Sequence, residues 1–131
     1  GGFGMSTRCN IIIKDGDEEV QVYRHTNGYP SGENGVIDQL TQALQFAWEL
    51  PRMEVTDMAA AIVRAWKESG GNIYIDHKHE NLHGDIDFLY IIYPDFNLGT
   101  WKIKVYDCDI FSKDLIWEGQ IGDKYPETFE E

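Results

Sequence analysis

The stretch MEVTDMAAAIVRAWKESGG, Met53 to Gly71, runs into three β-type segments: NIYID (72–76), IDFLYIIY (86–93) and WKIKVYD (101–107). Val55, Met58, Ile62 and Trp66 recur at helical spacing, while Arg64, Lys67 and Glu68 fall elsewhere on the helix, so one apolar stripe must be buried. Thr56 or Asp57 is placed to cap the first turn, and Gly70-Gly71 supplies the backbone freedom that ends the helix. In IDFLYIIY both alternating sets, Ile86/Phe88/Tyr90/Ile92 and Leu89/Ile91/Tyr93, are apolar, which predicts a central strand covered on both sides. Trp101, Ile103 and Val105 alternate with Lys102 and Lys104, the pattern of a strand with one wet face nearer an edge.

Outward from this centre the pattern is consistent. Cys9–Lys14 and Val20–Arg24 are short β-type runs around Asp15-Gly16-Asp17, a hairpin signal. His25 to Gly32 is dense in turn residues. Ile37, Leu40, Leu44 and Ala47-Trp48 then mark a first helix over about residues 35–49, ended by Leu50-Pro51. Trp48 and Trp66 sit on the helical stripes and read as packing residues. A last short strand is expected over 115–121. The order ββααβββ(β) predicts an α+β fold: a mainly antiparallel sheet with two antiparallel helices packed on one face.

The chain has 131 residues, enough for one domain, which we place at 5–122, with 123–131 as a frayed acidic tail. GGFG ahead of Met5 reads as a non-native leader. Eleven basic residues against twenty-three acidic ones give a net charge of −12, which disfavours tracking of nucleic acid or an anionic membrane. Over a screening length of about 8 Å, a local arginine can still hold a small anion. Two cysteines and no apolar leader point to the cytoplasm.

His79-Glu80-Asn81-Leu82-His83 matches the H-E-x-x-H of zinc proteases, where a helix sets both histidines on one metal. Here it falls between two predicted strands with Gly84 directly after it, so a polar hairpin loop fits better. His77, His79 and His83 suit only adventitious metal capture. No nucleophile elbow, P-loop or dinucleotide fingerprint is present, and the sequence nominates no catalytic group, cofactor or resident metal. Arg24 abuts His25, Asn27-Gly28 and Tyr29, a cation, an imidazole, turn amides and an aromatic face within a short span. That set suits a nucleotide phosphate beside a stacked base. With Arg8 and Arg64 these give the candidate ligand-binding residues Arg8, Arg24, His25, Tyr29 and Arg64.

The opening MSTRCNIIIK (5–14) followed by VYRHTNGYP (22–30) resembles a pattern shared by small phage-encoded proteins. The later GGNIYI (70–75) and HGDIDFLYII (83–92) make the chain similar to the first Thoeris anti-defence family. That resemblance implies an oligomeric, non-enzymatic sponge in the infected host's cytoplasm, sequestering a cyclic ADP-ribose-type immune signal. It assigns no residue roles here; the five candidates rest on side-chain chemistry. An alternative follows from the charge: an acidic inhibitor of a CRISPR-type nuclease complex, presenting carboxylates to a host defence protein where phosphates normally lie. A zinc protease built on His79, Glu80 and His83 is the reading the local context disfavours.

Overall fold

The computed structural model describes residues 7–32, 34–68, 72–76 and 86–126. Its elements are β1 (Cys9–Asp15), β2 (Glu18–Arg24), α1 (Val36–Ala43) continued by a 3-10 turn (Leu44–Phe46), α2 (Val55–Glu68), β3 (Ile73–Asp76), β4 (Phe88–Asp95), β5 (Thr100–Cys108) and β6 (Lys113–Gln120). The fold is α+β, as the patterning predicts. Six strands form one sheet in the order β3-β2-β1-β4-β5-β6. Only the β1–β4 pair is parallel; every other neighbouring pair is antiparallel.

Strand alternation divides the sheet into two unlike faces. Cys9, Ile11 and Ile13 of β1, Val22 of β2, Tyr90 and Ile92 of β4 and Ile103 and Val105 of β5 are buried in one core with Val55, Met58, Ile62 and Trp66 of α2. Removing a side chain such as Ile62 from this packing would cost about 2–5 kcal/mol. α2 lies against β1, β2 and β3, while the Gly122 amide donates to Thr41 Oγ1 at 3.2 Å and ties the end of β6 to α1.

β4 occupies the middle of the sheet, as its sequence predicts, yet its second face is only partly covered: Ile91 and Tyr93 are half-buried. The hairpin signal is also realised, with Asp15 opposite Glu18 and Gly16 at φ +60 in the two-residue turn. The first helix is shorter than its periodicity suggests. It tightens to 3-10 geometry at Leu44 and releases the chain before Trp48, which is therefore 46% exposed, outside the core. Asp57 does not cap α2; its Oδ2 accepts the Trp48 amide at 2.7 Å and anchors the interhelical loop. The start of the expected frayed tail is held, with Tyr125 edge-on to Trp117 at 5.3 Å and Asp123 Oδ2 accepting the Gln120 amide at 3.0 Å. Residues 1–6, including GGFG, and 127–131 lie outside the described residues, as does Gly70-Gly71.

Candidate functional site

At one margin of the sheet β1, β3 and β4 begin and β2 finishes. The register sets Ile73, Arg24, Cys9 and Phe88 in one row across these strands. Because Arg24 stands two residues beyond Val22, alternation turns it toward the helices. It is 2% exposed, with its Cζ 4.4 Å from the centroid of the Trp66 ring. Neither its Nε nor its Nη1 has a hydrogen-bond partner. Burial lowers its pKa from the usual guanidinium range, with Cys9 and Tyr90 acting in the opposite sense. The Cys9 thiol beside it is pushed up to about 12 by its own burial, so it stays neutral and cannot serve as a counter-ion at neutral pH. A cation in this low-dielectric setting without donors satisfied is costly unless an acceptor reaches it.

The turn that follows is stitched to the strand ends. The His25 amide donates to the Asn72 carbonyl at 2.9 Å, and the Gly28 amide to the Thr7 carbonyl at 3.1 Å. Tyr90 Oη donates to the Gly28 carbonyl at 2.7 Å in the core. A Cβ at Gly28 would meet Arg8 C at 3.0 Å and Cys9 Cβ at 3.1 Å, so a larger residue would have to push the turn slightly away from β1. The carbonyls of Tyr29 and Pro30 accept the Val36 and Ile37 amides, docking the turn on the first turn of α1.

His25 Nδ1 lies 2.8 Å from Tyr23 Oη, and Tyr29 is 46% exposed with its ring 5.8 Å from that of Phe88. Phe88 continues to Tyr90 at 6.5 Å between centroids. Arg8 joins the same margin through its backbone: its amide donates to Asp87 Oδ2 at 3.0 Å, and its carbonyl accepts the Asp87 amide at 2.8 Å. Four of the five candidates, Arg8, Arg24, His25 and Tyr29, therefore share one end of the sheet.

Arg64 does not join them. It lies two residues before Trp66, about 200° around the helix. Its guanidinium covers Phe46 at 4.0 Å instead, beside a groove bordered by Val20, Ala59 and Ile75. Arg52 is spent on Trp48 at 3.9 Å and Glu54 at 3.4 Å. Sequence reading missed Trp66, Phe88 and Tyr90 as walls of this margin. The in-phase step from Val22 to Arg24 was the available signal, since it forecasts a guanidinium on the buried face.

His77, His79, Glu80 and His83 lie outside the described residues. Among the described residues no group of three His, Cys, Asp or Glu side chains could hold a metal ion. No helix there is long and apolar enough to cross a membrane. Compared with family models, curated proteins and solved structures, the chain has no match. The reading of function therefore rests on residues and geometry.

Proposed function

We propose that this chain is a phage anti-defence protein that binds a compact anionic nucleotide of the cyclic ADP-ribose type and holds it without cleaving it. The observation that carries this reading is Arg24: a guanidinium 2% exposed, stacked on Trp66, with Nε and Nη1 unpaired. Phosphate oxygens are the acceptors best matched to such a group, and charge-assisted bonds formed away from water are its strongest interactions. Tyr29 and Phe88 offer aromatic faces at the same margin for a base, whereas His25, bonded to Tyr23, lies on the other face of the sheet. The retention of ligand needs no catalytic residue.

Because Arg24 is buried, a ligand reaches it only after a local opening, which slows association. Melting curves with a panel of cyclic ADP-ribose isomers test the reading. A ligand at a hundred times its Kd adds about 2.7 kcal/mol, and mass spectrometry should recover it intact. An unmoved melting temperature across the panel overturns the proposal.

One observation favours a second reading, an acidic inhibitor that occupies the nucleic-acid groove of a host nuclease complex. Asp107 and Asp114 face one another across β5 and β6, a like-charge pair that costs stability. On this reading a partner cation offsets that cost, and binding to the nuclease falls steeply as salt rises; salt-independent binding would remove it.

A further inference from the structure

Two surface features at opposite edges of the sheet are complementary. The first is the β5–β6 turn, where Ile110 and Phe111 are 81% and 90% exposed, large apolar side chains left in water. The backbone beneath them is fixed, because Asp109 Oδ1 accepts the Phe111 amide at 2.7 Å and the Ser112 amide at 2.8 Å. Asp107 and Asp114 stand directly opposite each other in the β5–β6 register, and with Asp109 they set three carboxylates against Lys113. Like charges so placed cost stability, and a cation from outside the chain would offset that cost.

The second feature is a groove of about 500 Å³ between α2 and β3. Val20, Ala59, Ala60, Val63 and Ile75 line it, and Ile75 is 61% exposed. Arg64 forms part of its wall, and Lys67 stands one helical turn beyond Val63 on the same side of α2. Both cations rest on aromatic rings, Arg64 on Phe46 at 4.0 Å and Lys67 on Tyr74 at 6.0 Å. Among the described residues neither has a carboxylate within ion-pairing distance. On a chain of net charge −12, an open apolar channel bordered by two such cations is matched to an apolar segment flanked by acids.

Exposed apolar surface with a charged rim marks protein contacts. The order β3-β2-β1-β4-β5-β6 sets the turn and the groove at opposite edges of the sheet, about 24 Å apart at the usual strand spacing, so the turn cannot enter the groove of its own chain. We infer that the groove receives the Ile110–Phe111 turn of a second copy, whose Asp107, Asp109 and Asp114 face Arg64 and Lys67. Because the two surfaces differ, the contact is head-to-tail and repeats from copy to copy, closing into a ring or running on as a filament. It draws on neither Arg24 nor a nucleotide.

Sedimentation velocity of the full chain, without nucleotide, tests it. A contact the size of one turn falls in the weak class below about 1,200 Å², so the series should run from about 0.01 to about 1 mM. The parent should gain mass as concentration rises. Phe111→Ser and Ala60→Glu each alter an exposed position, so both should melt with the parent while weakening self-association about tenfold or more. Lys67→Glu, a second exposed position beside the groove, should act in the same direction. Each of the first two variants keeps the surface that the other has lost, so their equimolar mixture should form a one-to-one dimer and nothing larger. A parent that stays monomeric overturns the inference, as does Phe111→Ser or Ala60→Glu assembling like the parent. A mixture that remains monomeric, or that grows beyond the dimer, also overturns it.

Discussion

Replacing Arg24 with Met separates a ligand-binding guanidinium from a structural one, because the two roles predict opposite signs. Nε and Nη1 are buried without partners, and each unsatisfied donor costs about 1–3 kcal/mol, a penalty of about 2–6 kcal/mol in the ligand-free protein. Against this stands the contact with Trp66 at 4.4 Å, worth about 0.5–2 kcal/mol. Methionine keeps the apolar stem on the indole ring and removes the charge. The ligand-free variant should therefore be more stable by about 1–4 kcal/mol, comparable to the gain when buried ionic groups are replaced by apolar ones. Urea unfolding followed by tryptophan fluorescence measures this as a rise in midpoint at unchanged slope. The same variant should lose the stabilisation that the cyclic nucleotide gives to the parent. A ligand-free loss of about 3–5 kcal/mol, the mark of a broken buried pair, would instead make Arg24 a structural cation. So would a variant that still gains stability from the ligand.

Tyr90→Phe leaves the Gly28 carbonyl without the hydroxyl that donates to it at 2.7 Å, and should cost about 1–3 kcal/mol in urea unfolding. Gly35→Ala places a Cβ 2.7 Å from Ser31 C and 2.8 Å from Ser31 Cα; the backbone shift should cost about 1–3 kcal/mol on the same measure and loosen the turn from α1. The Cys9 thiol is raised from 9.0 to about 12 by burial. The folded state then holds a proton that the unfolded chain releases, so stability present below pH about 9 should decline as pH climbs toward about 12. Tyr90, pushed well above 10.0 by burial, acts in the same direction, and Cys9→Ala should flatten the decline without abolishing it, as read by denaturation at stepped pH.

The order of elements was legible because it rests on local patterning: short β-type runs at β1 and β2, an apolar run at β4, alternation in β5 and a 3.6-residue stripe in α2. Pairing of β1 with β4, separated by β2, β3 and both helices, was not legible, since nothing in either strand's own residues encodes a distant neighbour. The premature end of α1 escaped for a related reason. Ala47 and Trp48 continue the helical rhythm, while the Trp48 amide is drawn to Asp57 by tertiary contact. At the candidate site, His25, Tyr29 and Arg24 are adjacent in sequence and their grouping could be read directly. Arg8 arrives through strand register, and Trp66 reaches Arg24 only because α2 crosses β2. Arg64 was a misleading candidate, because charge alone does not reveal that its helix turns it toward Phe46.

Whether Arg24 anchors a phosphate-bearing ligand that the protein retains unchanged can be measured by titration calorimetry with cyclic ADP-ribose isomers on the parent and on Arg24→Met, followed by mass analysis of ligand released on denaturation. We predict saturable binding by the parent, recovery of ligand at its original mass, and loss of binding by the variant. Equal binding by both proteins, no binding by either, or release of a hydrolysed product would rule out Arg24 as the anchor of a retained ligand.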